Sequence, residues 1–216
     1  MPTSCVCGKK FDVDHALSCQ KGGFIHRRHD EIKELFGHIA NDIYHDVEIE
    51  PGLLLVSGEV LPPSANKQDD ARLDLSVRSF WQRGERAFMD VRIFNPFAST
   101  HLNQNLENCF NSNEREKKRT YGQRVIEIEH GSFTPLVFSG NGGCEEADRF
   151  ISVLAEKLGE KQNTSYSETV TWLRAKISFS LLRSAILCIR GSRTVRQFDK
   201  SEISDIELTC SEAKLK

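Results

Sequence analysis

The spacing of hydrophobic positions predicts four amphipathic helices in this chain. In each of them apolar residues recur every three to four positions, which places them on one face of a helix. In the first helix, Ile32, Phe36 and Ile39 share such a face. The predicted helical ranges are 28–43, 99–121, 145–158 and 168–190.

Alternation of apolar and polar residues at every second position predicts strands. It is clearest over 71–77 and 86–94, which are connected through Gly84, so we expect an antiparallel hairpin. Shorter apolar runs predict further strands, over 47–50, 125–129 and 136–138, and polar residues predict a loop over 61–70. The order helix, strand, strand, strand, helix, strand and helices indicates an α/β fold, in which helices flank a mixed sheet.

Composition divides the chain into three predicted regions. Residues 1–24 are rich in Cys, Gly and Lys and too poor in large apolar residues to form a core of their own. Residues 25–198 carry the predicted helices and strands and form the main domain, and residues 199–216 are predicted to be a flexible tail. The N-terminal region therefore needs another source of order, such as a bound metal.

Overall composition indicates a soluble globular protein, at 38% hydrophobic and 28% charged residues. No apolar run approaches the roughly 18–20 residues that span a bilayer, and the opening MPTSCVCGKK lacks the apolar core of a signal peptide. We therefore expect no membrane partner and an intracellular, nuclear location. The cysteine count is seven, which is odd, so metal binding or buried thiols are favoured over a disulfide framework.

The net charge of −2 conceals a strongly basic segment near the C-terminus. Residues 171–198 contain six Lys or Arg and no acid, and Lys176, Arg183 and Arg190 recur every seven residues along the last predicted helix. Such a stripe can neutralise phosphates of a DNA backbone without reading its sequence. The alternative is an ordinary solvated helix face.

Four potential zinc ligands lie within the first predicted region: Cys5, Cys7, His15 and Cys19. Zinc prefers a tetrahedral set of Cys sulfur and His nitrogen atoms, and His15 and Cys19 lie one helical turn apart. Four protein ligands leave no open position for a water, so the predicted site is structural. His26 is a possible substitute ligand, as is His29, although both are expected at the start of the first long helix.

Two aspartates on the predicted hairpin are the main candidates for catalysis. Asp74 and Asp90 occur where strand propensity disfavours Asp, and their positions are symmetric about Gln82 near the turn. Two carboxylates this close would suit Mg²⁺, which activates water for phosphodiester cleavage. The alternative is that Asp74 pairs with Arg72 or Arg92 on a solvated face of the sheet.

Three further residues could assist chemistry at these aspartates. Arg92 shares a strand face with Asp90 and could stabilise a phosphate or a hydroxide. Lys117 and Tyr121 lie one turn apart on the following helix and offer a second cation and a phenol.

This layout resembles the PD-(D/E)XK restriction-like nucleases, which carry one Asp on a strand, Asp-x-(Lys or Arg) on the next, and a helix before both. The Cys5-Cys7-His15-Cys19 knuckle, the segment Arg28-His29-Asp30 and Lys117-x3-Tyr121 make the resemblance closer to the restriction-like endonuclease of site-specific non-LTR retrotransposons. It covers roughly residues 5–140. Two positions depart from the superfamily pattern: Leu73 replaces the usual Pro, and Arg92 replaces the usual Lys.

The resemblance implies a DNA endonuclease with catalytic Mg²⁺ (or Mn²⁺) and structural Zn²⁺, which acts on DNA beside a separately encoded reverse transcriptase. Asp74 and Asp90 would hold the catalytic metal, Lys117 would replace the missing Lys, and Glu31 or Glu34 would assist. The alternative is a catalytically inactive, zinc-stabilised module that binds DNA or another protein. An RNA-binding knuckle is disfavoured, because the aromatic residues do not cluster as stacking platforms.

Overall fold

The computed structural model describes residues 3–54, 72–98, 101, 103–140 and 142–190. The predicted loop over 61–70, the start of the predicted strand at 71, and the predicted tail over 199–216 lie outside these residues. The helices and strands follow one another in this order: α1 (Val13–Ser18), α2 (Phe24–Ile43), β1 (Val47–Ile49), β2 (Leu75–Arg78), β3 (Arg86–Ile93), α3 (Leu106–Lys117), β4 (Ser132–Ser139), β5 (Gly142–Gly143), α4 (Glu145–Gln162) and α5 (Tyr166–Arg190).

The five strands form one mixed sheet in the order β1-β2-β3-β4-β5. The pairs β1–β2, β2–β3 and β4–β5 are antiparallel, whereas β3 and β4 are parallel. A parallel pair needs a crossover, and α3 lies in the connection between β3 and β4. The predicted α/β class, the mixed sheet and the antiparallel hairpin are therefore confirmed.

The main core lies between one face of the sheet and helices α2, α4 and α5. Along β3, Met89 and Val91 point into this core, where they pack with Phe36 of α2 and Phe150 of α4. Phe88 alternates to the opposite face and packs in a smaller cluster with Leu53, Leu73 and Val125. Asp90, two residues after Phe88, shares this second face.

The predicted strand at 125–129 is wrong. The chain instead continues α3 as a helix that includes two π-helical segments, Lys118–Gly122 and Val125–Glu129, and ends at His130, whose φ is 52°. Only Val125 is fully buried, whereas Ile126 is 62% exposed, so this apolar run does not alternate between two faces of a sheet. Tertiary packing of Val125 overrides the strand propensity of the isoleucines and valine.

Other element boundaries move without changing the order of the fold. The α2 helix begins at Phe24 rather than at residue 28, and β4 is longer than the predicted strand at 136–138. β2 begins at Leu75, so Asp74 lies directly before the strand rather than in its middle. The Asp74 N–H donates at 3.1 Å to the carbonyl of Met89, which is the residue paired with Leu75, so the chain leaves the β2–β3 register at this bend.

Candidate functional sites: a Cys/His metal centre and an acidic hairpin

The four N-terminal candidates converge on one point. Cys5 Sγ lies 3.8 Å from Cys19 Sγ, and Cys7 Sγ lies 3.2 Å from His15 Nε2. All four ligand atoms lie within 4.8 Å of one another. With Zn–S bonds near 2.3 Å, the edge of a tetrahedron is about 3.8 Å, which matches the sulfur–sulfur separation. The cluster could therefore hold a metal ion such as zinc.

A tight turn and a short helix place these ligands. The Gly8 N–H donates to the Cys5 carbonyl at 2.8 Å, and Gly8 has a φ of 84°, which glycine adopts without strain. Asp12 caps α1 by accepting a hydrogen bond from the His15 N–H at 2.8 Å. The α1 helix then brings Cys19 beside His15, one turn away. Backbone hydrogen bonding, first from the Lys9 N–H, lowers the pKa of Cys7, whereas burial raises the pKa of Cys5.

The knuckle packs against the rest of the protein. Phe11 and Ala16 form a small cluster with the ligand sulfurs, and Ile189 of α5 packs against it. Asn95, which follows β3, donates a hydrogen bond to Asp14 of α1 at 3.2 Å. The two histidines left open as substitute ligands, His26 and His29, both lie in α2, as expected.

Asp74 lies beside Asp90 at the end of the hairpin ladder. Leu75 pairs with Met89, and Asp74 comes directly before Leu75 while Asp90 comes directly after Met89. The N–H of Val91 also donates to Asp74 Oδ2 at 2.6 Å, which fixes the orientation of that carboxylate.

Asp90 is buried and held by a cation from α3. Its side chain is 8% exposed, and Lys117 Nζ lies 2.6 Å from Asp90 Oδ2. Burial and the negative charge of Asp74 raise the pKa of Asp90 to about 6, against the opposing effect of Lys117. Burial alone would lower the pKa of Lys117, but its contact with Asp90 raises that pKa, so the ammonium stays charged at neutral pH.

Tyr121 and Arg92 occupy different places around this pair. Lys117 Nζ lies 5.6 Å from the centre of the Tyr121 ring, and burial together with the charge of Asp90 raises the pKa of the phenol. Tyr121 therefore keeps its O–H as a donor at neutral pH. Arg92 extends away to Glu116, at 2.9 Å, so the cation on Asp90 is Lys117.

A histidine of α2 that sequence reasoning gave no role at the aspartates completes the cluster. His29 Nε2 lies 3.0 Å from Asp74 Oδ2 and 3.1 Å from the Val91 carbonyl oxygen. Burial would lower the pKa of His29, but hydrogen bonds to Asp30 and Asp74 and the charge of Asp90 raise it to about 10. In the sequence, the one feature that singled out His29 was its place in the segment Arg28-His29-Asp30.

The two glutamates expected to assist lie elsewhere on α2. Glu31 accepts hydrogen bonds from Ser180 at 2.8 Å and from Arg183 Nε at 2.9 Å, so it joins α2 to α5. Glu34 is exposed to solvent. The turn of α2 that reaches the aspartates is therefore the one that carries His29.

A second group of charged residues borders the aspartates, and sequence reasoning missed it entirely. Lys33 is 6% exposed at its side chain and contacts both Asp30, at 3.0 Å, and Glu50. Glu50 has a φ of 56°, a strained value for a residue with a side chain, and its N–H donates to the Asp74 carbonyl at 3.0 Å. This network fixes the backbone of Asp74 from the β1 side.

The basic stripe of the last helix is present on the exposed side of α5. Lys176 lies over the Trp172 ring at 4.7 Å, and Arg183 already pairs with Glu31. Lys176, Arg183 and Arg190 are all exposed, as a phosphate contact requires. Arg193 and Arg196 lie outside the described residues.

We expect the imidazole of His29 to remain protonated well above neutral pH. The pKa of His29 is about 10 in the folded protein and near 6.5 in the unfolded chain. The protonated imidazole therefore stabilises the fold fully below about pH 6.5, and this contribution is lost as the pH rises toward about 10. Imidazole chemical shifts followed by NMR across pH 5–11 measure this directly, with assignment by a His29→Gln variant. A His29 midpoint near 6.5 would contradict the described contacts with Asp74 and Asp30.

Comparison with known proteins leaves the site to be interpreted from its own residues. No protein-family model matches the chain, and curated proteins give no match either. Among the described helices, none has the length and apolar content needed to cross a membrane.

Proposed function

We propose that the chain is a metal-dependent DNA endonuclease of the restriction-like (PD-(D/E)XK) class, derived from a transposable element and stabilised by a zinc knuckle. The observation that carries the proposal is that Asp74 lies beside Asp90, with Lys117 on the buried Asp90 carboxylate. A helix before the hairpin, one acid directly before β2 and a second acid on β3 resemble the layout of that class.

The donor chemistry of this cluster fits a hard divalent cation. Carboxylate oxygens are the ligands that Mg²⁺ and Mn²⁺ prefer, and burial together with the charge of Asp74 raises the pKa of Asp90, which a bound cation would lower. Asp74 and Asp90 would hold the ion. When bound, it would neutralise phosphate charge and lower the pKa of a water.

The residues around the aspartates have distinct roles in this proposal. Lys117 is charged at neutral pH, so it stabilises negative charge on the phosphate or on the attacking oxygen rather than accepting a proton. Tyr121 keeps its hydroxyl proton and can donate a hydrogen bond to the same region. Arg92 pairs with Glu116 and is given no catalytic role in this proposal.

DNA is the proposed substrate because basic side chains lie on the knuckle, on α3 and on α5. The exposed bases of α3 and its π-helical continuation include Arg115, Lys118 and Arg119, close in sequence to Lys117. Phosphate contacts of this kind position a duplex without reading its bases. Nuclear location and cooperation with a separately encoded reverse transcriptase belong to the same proposal.

The alternative, an inactive module that binds DNA or protein, has one observation in its favour. His29 and Lys117 already supply two positive charges to the two aspartates, so the cluster is electrically balanced without a metal. A site of this kind can be stable as a purely structural network. DNA binding that depends steeply on salt and is unaffected by chelation of Mg²⁺ would favour this alternative.

Nicking of supercoiled plasmid by the zinc-loaded protein tests the proposal. We expect Mg²⁺- or Mn²⁺-dependent conversion to open circles, with a rate at least about 100-fold lower in Asp90→Asn because the electrostatic arrangement is lost. Arg92→Gln is the matched control on the same strand and should retain most of the rate. Intact plasmid with wild type, under conditions where the protein binds DNA, would favour the inactive module.

A further inference from the structure

An apolar stripe runs along the exposed side of α5, opposite the face that enters the core. Trp172, Phe179, Leu182 and Ile186 repeat at helical spacing and are 49%, 71%, 57% and 41% exposed. The core face of the same helix carries Leu173, Ile177 and Leu181, which are buried. The four exposed residues form what we call the α5 stripe. A row of large, exposed apolar side chains of this kind is typical of a binding site.

The charges beside the α5 stripe restrict what can cover it. The helix contains four basic residues (Arg174, Lys176, Arg183 and Arg190) and a single acidic residue, Glu168. A second copy of the chain would bring positive charges together, which opposes pairing through this face. The phosphates of DNA would complement the basic residues but not the four apolar side chains. The occupant should therefore be both apolar and acidic.

The chain itself contains a segment with this chemistry. Residues 199–212 carry five acids and one lysine, and Ile203, Ile206 and Cys210 follow the spacing of an apolar helix face. The acids are opposite in charge to the basic residues of α5, and the apolar spacing matches that of the stripe.

The lengths also agree. Trp172 and Ile186 are 14 positions apart on α5, or about 21 Å along the helix axis, and 14 residues of helix span about the same distance. Eight residues, 191–198, connect Arg190 to the segment and reach at most about 29 Å when extended. Such a short connection gives a high effective concentration for an intramolecular contact.

We propose that residues 199–212 dock along the α5 stripe of their own chain, with their apolar side chains on the four exposed apolar residues and their acids beside Lys176 and Arg190. The contact shields the stripe and lowers the positive charge of this helix. The proposal does not depend on the nuclease assignment, and a docked segment would compete with DNA phosphates for Lys176 and Arg190.

Hydrogen exchange in the full, zinc-loaded chain tests this docking. We expect the amides of 199–212 to exchange at least 10-fold more slowly than in an unstructured chain. The protection should disappear in Phe179→Asp/Leu182→Asp and in Ile203→Asp/Ile206→Asp. It should persist in Ser178→Asp, off the stripe, and in Ser201→Asp/Thr209→Asp, which adds two acids at polar positions.

Three outcomes would overturn the proposal. The first is exchange of 199–212 at the unstructured rate in wild type, and the second is protection that survives the stripe substitutions. The third is protection that falls on dilution together with a dimer mass by light scattering, which would assign the contact to a second copy. Exchange in the β2–β3 hairpin, far from these substitutions in sequence, reports whether each variant is folded.

Discussion

Replacement of Cys19 by serine is expected to abolish tight zinc binding and to unfold the knuckle. A structural zinc contributes about 10–16 kcal/mol of apparent binding free energy in small zinc-dependent units, and this energy is the folding energy of the segment that supplies the ligands. Apart from Phe11 and Ala16, the knuckle has little apolar core of its own. Loss of a ligand should cost more affinity than the roughly 10- to 100-fold loss caused by removing a supporting hydrogen-bond partner.

Metal content by mass spectrometry and amide exchange over residues 3–19 measure this effect. Wild type should retain one zinc per chain, with slow exchange that chelation removes, whereas Cys19→Ser should show neither. Cys109→Ser makes the same chemical change at a buried thiol of α3 and should keep its zinc. Equal zinc content in Cys19→Ser and wild type would contradict the four-ligand site.

Replacement of Lys117 by methionine is expected to destabilise the fold by roughly 3–5 kcal/mol at pH 8, because it leaves Asp90 buried without its cation. The effect should be smaller at pH 5. The pKa of Asp90 is near 4 in the unfolded chain and about 6 in the folded wild type. The folded protein therefore loses stability as the pH rises through this range. Without Lys117 the folded value rises further, so the penalty at pH 8 grows.

Urea unfolding of zinc-loaded protein at both pH values tests the pairing. The double variant Lys117→Met/Asp90→Asn should recover most of the lost stability at pH 8, because neither member of the pair then carries a charge. Arg92→Gln is the comparison for a partly exposed cation and should change stability by less than about 1 kcal/mol. A loss in the free energy of unfolding of Lys117→Met that is equal at both pH values, or no loss at all, would refute the described contact.

The fold was largely predictable where local pattern and tertiary packing agree. The apolar spacing of α2 buries one face, and the alternation in β3 places Met89 and Val91 in the main core and Phe88 in the smaller cluster. The strand prediction at 125–129 is wrong because local pattern and tertiary packing disagree there. Val125 packs against the second face of the sheet while Ile126 stays exposed, so β-branched residues occur in a helix because of one buried contact.

The metal centre and the acid pair differ in how far sequence could define them. Cys5, Cys7, His15 and Cys19 lie within 15 residues, so their spacing alone brings them together. The hairpin brings Asp74 beside Asp90, and the structure adds the cation that each carboxylate contacts. His29 lies 45 positions before its partner Asp74, and only the packing of α2 on the sheet could bring it there.

Binding of Mn²⁺ to the zinc-loaded protein tests most directly the claim that Asp74 and Asp90 share one divalent cation. Titration calorimetry, with electron paramagnetic resonance to count bound ions, should show one Mn²⁺ per chain in wild type and in Arg92→Gln. Both Asp74→Asn and Asp90→Asn should lose it while they keep zinc. Absence of Mn²⁺ binding in wild type, or undiminished binding in both variants, would contradict the claim.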